Sequence, residues 1–357
     1  MKFSQIKKIL QNVILVFLGL VIAILFLEII LRIWIPGIYD DLRIWERSPI
    51  SFYSLKPSYK GLIRSVHGEF TITVKTNALG LRDDHEFSQI KPDNTFRILV
   101  LGDSFTFGYG VESEESYPKQ LERFLRDYVK DMNIEILNAG FADGWAPDTE
   151  YLYLKNRGIL FEPDLVILGF FQGNDIINLS TNKWGEEENQ LPLRITQTGT
   201  GLVPRIIKER SVLFQFLKWK IHKWKIHTVA KKVFRSPEHI GSSPNEHLVS
   251  ARLLIKGMQD ISKKHNARFA VVIIPAMEAV IKGETHELTR IRRDISEFCM
   301  QQQIPVLDLL SPFAKYQENS KKRLYFQLNA HWTNDGHLLA ARDIFNFVLS
   351  EKLLEKN

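Results

Sequence analysis

Residues 97–108 of the chain are RILVLGDSFTFG. The four residues after Arg97 are all apolar, and so short an apolar run before a glycine is typical of a strand buried on both faces. Gly102 ends the run, and the polar residues Asp103 and Ser104 follow at once. The stretch therefore predicts a strand of a parallel sheet, with a nucleophilic side chain at its carboxyl end.

The same pattern recurs along the rest of the chain, where further apolar runs alternate with amphipathic segments. The predicted strands are 97–101, 134–137, 164–170, 268–274 and 306–309, and the predicted helices are 117–129, 148–157, 247–265, 288–302 and 336–354. Strands rich in Val, Ile and Leu that alternate with helices predict an α/β fold whose parallel sheet is covered on both faces.

Polar groups follow three of the predicted strands and precede the last helix. The blocks are 102–108 (GDSFTFG), 138–144 (NAGFADG), 172–175 (QGND) and 329–337 (NAHWTNDGH). A serine nucleophile needs a base such as histidine, and a developing oxyanion needs donors such as an Asn amide and backbone N–H groups. The G-x-S-x-G elbow of α/β-hydrolases is absent, since Thr106 takes the place of its second glycine.

Together these blocks resemble the SGNH, or GDSL-type, hydrolases. The resemblance rests on Gly-Asp-Ser after the first strand, a glycine in the second block, Gly-x-Asn-Asp after the third strand and a late His. It covers about residues 95–350, interrupted by an insertion, and implies a flavodoxin-like three-layer α/β/α fold with esterase or acyltransferase chemistry. His-Trp followed by Gly-His is also similar to the branch of alginate-type O-acetyltransferases, which act on exported polysaccharide.

The resemblance assigns roles to individual residues. Ser104 would be the nucleophile and His331 the general base. The backbone N–H of Ser104, the Asn174 side chain and a second-block glycine N–H would form the oxyanion hole. Gly144 is the favoured glycine, and Gly140 is the alternative because the spacing within the block is shifted.

The chain departs from the family pattern beside His331. The family usually has an Asp two or three residues before the His, where this chain has Asn329 and Leu328. A carboxylate fixes the imidazole tautomer and stabilises the imidazolium, whereas an Asn oxygen accepts the hydrogen bond without bringing a charge. Three outcomes are open: a Ser–His dyad suffices, helped by Asn329 or a backbone carbonyl; Asp335 or Asp308 replaces the acid; or the site binds rather than reacts.

Other polar residues have plainer interpretations. Asp103 and Asp175 flank tight turns and are expected to accept nearby backbone N–H groups. His337 is a competing base, but it begins the last helix and is expected to pack or cap there.

Cys299 is the only cysteine, so no intramolecular disulfide forms. No His pair at ligand spacing and no Cys cluster is present, so neither a metal nor a cofactor is predicted.

The N-terminus predicts a membrane anchor. Residues 9–27 carry no charge, and nineteen helical residues nearly span a hydrocarbon core of about 30 Å. Lysines precede the stretch, so the positive-inside rule places the N-terminus in the cytoplasm and the remaining chain in the periplasm or outside the cell. A cleaved signal peptide is the alternative. The predicted organisation is a cytoplasmic 1–8, an anchor over 9–35, a linker and β-rich lead-in over 36–95, and an α/β domain over 96–350.

The excess positive charge lies in one segment. The 357 residues have a formal net charge of +6, whereas residues 203–235 hold ten Lys or Arg and one acid. This segment lies in the predicted insertion, about 178–246, and contains the repeat KWKIHKWKIH. Trp beside Lys suits an anionic membrane surface, and a cap over the active site is the alternative. Nucleic-acid contact is disfavoured, because the basic charge is confined to one segment.

The sequence therefore predicts a single-pass membrane-anchored serine esterase or O-acyltransferase. Its expected substrates are ester-linked acyl groups of a cell-envelope glycan or lipid. The alternative is a catalytically degenerate protein that binds a glycan or assembles an envelope complex, and Asn329 keeps that alternative open.

Overall fold

A computed structural model describes residues 3–34, 44–48, 53–65, 68–141, 145–182, 184–195, 211–214, 216–217, 220–221 and 244–355. The strands are β1 (Trp45–Arg47), β2 (Tyr53–Leu55), β3 (Lys60–Arg64), β4 (Thr71–Lys75), β5 (Thr95–Gly102), β6 (Asn133–Gly140), β7 (Leu165–Phe171), β8 (Trp184–Glu188), β9 (Leu191–Ile195), β10 (Arg268–Ile274) and β11 (Val306–Asp308). The helices are α1 (Phe3–Trp34), α2 (Ser104–Phe107), α3 (Tyr117–Tyr128), α4 (Pro147–Asn156), α5 (Asp175–Thr181), α6 (Pro244–Lys264), α7 (Met277–Lys282), α8 (His286–Gln301), α9 (Leu310–Asn319) and α10 (Asn334–Ser350).

The centre of the fold is a five-stranded parallel sheet with the order β11-β10-β7-β5-β6. When these strands are counted in chain order, the arrangement is 2-1-3-4-5, which is the flavodoxin-like order. In such a sheet the carboxyl ends beside the first and third strands form the crevice where ligands bind. Here those strands are β5 and β7, and Gly102 lies opposite Gly169 at their ends.

Helices cover both faces of the sheet, so the fold has three layers. All eight residues of β5 are buried. Leu99 and Leu101 lie in the core beneath α4, α6 and α8. Ile98 and Val100 lie in the opposite core, beneath α3, α9 and α10. Because consecutive strand residues face opposite sides, burial on both faces requires the continuous apolar run in the sequence. The expected α/β/α architecture is confirmed.

Two antiparallel hairpins, β1–β2 and β3–β4, precede the sheet. Ile63, Ile72 and Val74 from β3 and β4 are buried in the same core as Leu99. Alternate residues of β4 are buried, as the alternating sequence of this strand predicts. The described part of residues 36–95 therefore packs on the α/β layers.

Helix α1 is apolar and exposed. Among the described residues, 5–34 form one helix that is long and apolar enough to cross a membrane, and its most apolar stretch has no buried residue. Near its end, the Glu28 carboxylate accepts hydrogen bonds from the N–H groups of Val212 and Leu213, at 2.8 and 2.9 Å. Residues 212 and 213, within the basic segment, thus contact α1. Most of residues 203–235, and with them the predicted surface contact, lie outside the described residues.

Candidate active site

Ser104 is the first residue of α2, directly beyond the end of β5. Asp103 caps the helix, because its Oδ1 accepts the Phe105 N–H at 2.9 Å. The short helix lies close against the end of β6, where a Cβ on Gly140 would be 2.1 Å from the Phe107 nitrogen. Only glycine permits this approach. The packing fixes Ser104 at the carboxyl edge of the sheet.

Arg82 holds the C-terminal end of α2, the helix that begins with Ser104. Its buried guanidinium donates to the carbonyl oxygens of Phe107, Gly108 and Val111, at 2.8, 2.6 and 2.5 Å. Burial lowers the pKa of Arg82 to about 10, with nearby acids acting in the opposite sense, so the group stays charged at neutral pH. No motif in the sequence marked Arg82, because its partners lie 25 or more residues further along the chain.

His331 and Asn329 complete a hydrogen-bonded series that ends on the serine. His331 Nε2 lies 2.7 Å from Ser104 Oγ, and His331 Nδ1 lies 2.5 Å from Asn329 Oδ1. Because the Asn oxygen can only accept, Nδ1 carries the proton and Nε2 is the acceptor for the serine hydroxyl. The arrangement can therefore deprotonate Ser104 as it attacks a carbonyl carbon.

An unusual backbone conformation makes this series possible. Ala330, between Asn329 and His331, has φ of 65°. This left-handed conformation costs a non-glycine residue about 1 kcal/mol or more. In the structure the side chains on either side of Ala330 reach each other, and the hydrogen bond between them closes the series.

The two other acids weighed as partners for His331 are engaged elsewhere. Asp308 accepts the Arg292 guanidinium at 2.6 Å, and Asp335 accepts the Lys322 ammonium at 2.7 Å. Neither replaces Asn329 as the partner of Nδ1.

His337, the competing base, has a structural position. It is buried in α10, and its Nδ1 accepts the Tyr117 N–H at 3.2 Å. Burial lowers the pKa of His337 to about 3, so the ring is neutral at physiological pH. The expectation that it packs in the last helix is confirmed.

Asn174 lies at the edge that carries Ser104. It precedes α5, just beyond the end of β7. Because β5 and β7 are neighbours, the segments after them run side by side, and the rings of Phe105 and Phe171 are 4.5 Å apart. The Asn174 Oδ1 is buried and has no hydrogen-bond partner among the described residues. Asn174 thus follows the strand that pairs with β5, and its segment runs beside α2, the short helix that carries Ser104.

Of the two glycines considered for the oxyanion hole, the structure describes only Gly140. Gly140 is the end of β6, and its N–H donates to Asn138 Oδ1 at 2.9 Å. Because this N–H is occupied and α2 covers the residue, Gly140 cannot also bind an oxyanion. The favoured residue, Gly144, lies outside the described residues.

A group of buried carboxyl groups lies beneath the site: Asp103, Asp148, Glu150 and Asp175. Burial raises the pKa of Glu150 and Asp175, and the neighbouring carboxylates raise both further. Asp103 and Asp175 accept the N–H groups of Phe105 and Phe171, at 2.9 Å each, as expected from their turns. Glu150 carried no sequence signal. The described residues contain no group of three or more His, Cys, Asp or Glu suited to a metal ion.

Comparison with known proteins gives structural similarities at low identity. No protein-family model and no curated protein sequence matches the chain. An acetyl xylan esterase is 14% identical with a TM-score of 0.45, covering 71% of this chain and 100% of its own. A putative lipolytic protein of the G-D-S-L family from Desulfitobacterium hafniense is 16% identical with a TM-score of 0.42. The match covers 70% of this chain and 98% of the other. A lipase/acylhydrolase from Enterococcus faecalis is 14% identical with a TM-score of 0.43. The match covers 72% of this chain and 96% of the other.

Proposed function

We propose that this protein is a serine esterase or O-acyltransferase of the SGNH type. The observation that carries the proposal is the continuous series Asn329–His331–Ser104, with separations of 2.5 and 2.7 Å. A chance contact between a serine and a histidine would not be expected to include a third residue that hydrogen-bonds the other ring nitrogen and fixes the histidine tautomer. A nucleophile, a base and an orienting group are the parts that acyl transfer requires.

The reaction would proceed in two halves. Ser104 Oγ attacks the ester carbonyl while His331 Nε2 takes its proton, and the oxyanion is held by the Asn174 amide and by the N–H groups of Ser104 and Gly144. Collapse of the tetrahedral intermediate breaks the ester C–O bond, and His331 protonates the leaving alcohol. Water or a sugar hydroxyl then takes the acyl group from Ser104. Hydrolase and transferase share the acyl-enzyme and differ only in this acceptor.

Asn329 supports a working site more than a degenerate one. In serine proteases, changing the triad Asp to Asn costs about 10⁴ in kcat, because the imidazole adopts the wrong tautomer. Here Asn329 presents its oxygen to Nδ1, so the tautomer is the productive one. What the site lacks is the charge that would stabilise the imidazolium.

The direct test is covalent labelling of the full chain with a fluorophosphonate probe. We expect the wild type to be labelled on Ser104, Ser104→Ala to be unlabelled, and Ser320→Ala to be labelled like the wild type. Ser320 is a half-buried serine, like Ser104, and its Oγ accepts the Lys322 N–H, which makes it a matched control. Labelling that appears only after Asn329→Asp would instead favour the degenerate, glycan-binding alternative.

We also propose that α1 anchors the enzyme, with the N-terminus in the cytoplasm and the α/β domain on the other side of the membrane. The exposed apolar surface of residues 5–34 supports a membrane-spanning helix, and Lys7 and Lys8 support the orientation. A tethered enzyme meets substrates close to a membrane, which favours an acylated cell-envelope glycan or lipid.

The anchor and its orientation can be tested together on oriented membrane vesicles. We expect the chain to resist carbonate extraction, and a protease to reach the α/β domain only from the non-cytoplasmic face. Release by carbonate would contradict the anchor, and digestion from the cytoplasmic face would contradict the orientation.

A further inference from the structure

Glu69 binds the loop formed by residues 326–331, which carries Asn329 and His331. Its carboxylate accepts the N–H of Gln327 at 2.7 Å, of Leu328 at 3.0 and 3.1 Å, and of Asn329 at 2.8 Å. Glu69 directly precedes the Phe70–β4 segment and is 260 residues away from Asn329 in the chain. A charged acceptor shared by three successive amides is a strong anchor, because hydrogen bonds to charged groups exceed neutral ones in strength.

The loop leaves three successive backbone N–H groups without a partner inside the loop. Its ends are joined by the Phe326 N–H, which donates to the His331 oxygen at 2.8 Å, and the Ala330 N–H donates to the Phe326 oxygen at 3.3 Å. The three amides between them point to the same side, as at the start of a helix, and a carboxylate is the natural partner for such a cluster. Glu69 supplies that partner.

The next residue of the lead-in supports the same loop by packing. Phe70 is buried, and its ring lies 5.1 Å from the ring of Phe326 and 5.3 Å from that of Tyr109. The Tyr109 ring lies 4.9 Å from the His331 ring. One lead-in residue thus holds the backbone of the loop while its neighbour packs against the aromatic side chains around the base.

We infer that Glu69 is a positioning residue for the reaction, an inference that rests on the proposed function. Asn329 brings no charge, so its contribution to His331 is orientation alone. An orienting amide works only if its own backbone is fixed, and Glu69 fixes it through the Asn329 N–H and the two amides before it. The lead-in is therefore part of the active site.

The test compares kinetic constants of Glu69→Ala, Glu69→Gln and a matched control. Glu86 is also in the lead-in, and its carboxylate also accepts a backbone N–H, that of Ala78, at 3.0 and 2.9 Å. We expect Glu69→Ala to lower kcat about 10- to 100-fold with little change in KM, because a small misplacement of the base has effects of that size. Glu69→Gln keeps one acceptor oxygen and should recover part of the loss, while Glu86→Ala should match the wild type.

Two further measurements make the outcome decisive. Hydrogen exchange of the peptide covering 326–331 should be at least about tenfold faster in Glu69→Ala and unchanged in Glu86→Ala, because the anchored amides are released. In an Asn329→Asp background, Glu69→Ala should cost less in kcat than in the wild type, since charge attraction then helps to hold the imidazole.

Each result has one meaning. Equal kcat and equal exchange in Glu69→Ala and Glu86→Ala would overturn the inference. Loss of turnover through a higher KM, with kcat kept, would also overturn it. If the wild type shows no turnover that depends on Ser104, the proposed function fails, and the exchange measurement alone decides whether Glu69 holds the loop.

Discussion

Replacing His331 with alanine is expected to lower kcat/KM for an activated acetyl ester by about 10⁴-fold or more. The imidazole is the group within hydrogen-bond reach of the Ser104 hydroxyl, at 2.7 Å. Without it the hydroxyl keeps its proton at neutral pH and is a weak nucleophile. The loss should fall at the lower end of the range known for serine hydrolases, because Asn329 gives the wild-type site no carboxylate charge to lose.

The measurement is p-nitrophenyl acetate hydrolysis by the purified full chain. The double variant Ser104→Ala, His331→Ala should be no worse than either single variant, because the two residues act as one unit. His85→Ala is the control: His85 is exposed and its ring packs on Phe87 at 4.9 Å. A loss below about tenfold in His331→Ala would contradict its role as the base.

The architecture could be predicted because its signal is local. A strand buried on both faces must be apolar throughout, so β5, β7 and β10 are recognisable from composition alone. The strand order follows the flavodoxin-like arrangement that the family resemblance implied. Ser104, Asn174 and His331 were predicted because each lies in a motif beside a strand end or the last helix.

The hairpin β8–β9 was not predicted, since its signal is not local. Strand β8 contains the consecutive residues Glu186, Glu187 and Glu188, which have low strand propensity. The hairpin is positioned by packing instead, because Leu191 joins the core and contacts the position of Gly257 on α6. Tertiary contacts outweighed the local preference.

The supports of the site also could not be predicted. Arg82 and Glu69 act on backbone groups far along the chain, and a backbone N–H or carbonyl leaves no trace in the identity of its residue. The partner of His331 depended on the φ of Ala330, for which alanine gives no signal. Sequence patterns identified the residues proposed to react, whereas the groups that hold them became visible only in three dimensions.

Replacing Asn174 with alanine is expected to lower kcat about 10²- to 10³-fold and to leave KM nearly unchanged, which is the effect of removing one oxyanion donor. The negative charge exists only in the transition state and the tetrahedral intermediate, so the amide contributes little to binding the ground-state ester. The series Asn329–His331–Ser104 does not include Asn174 and should be intact in the variant.

Two further variants separate this role from a packing role. Asn156→Ala removes the side-chain amide of an exposed residue, which donates to the Leu152 carbonyl at 2.7 Å within α4, and it should leave kcat unchanged. Asn174→Asp should be at least as damaging as Asn174→Ala, because a carboxylate accepts hydrogen bonds and repels an oxyanion. A rise in KM at constant kcat for Asn174→Ala would show that the amide binds the substrate rather than the transition state, and the oxyanion hole would then have to be built from backbone N–H groups alone.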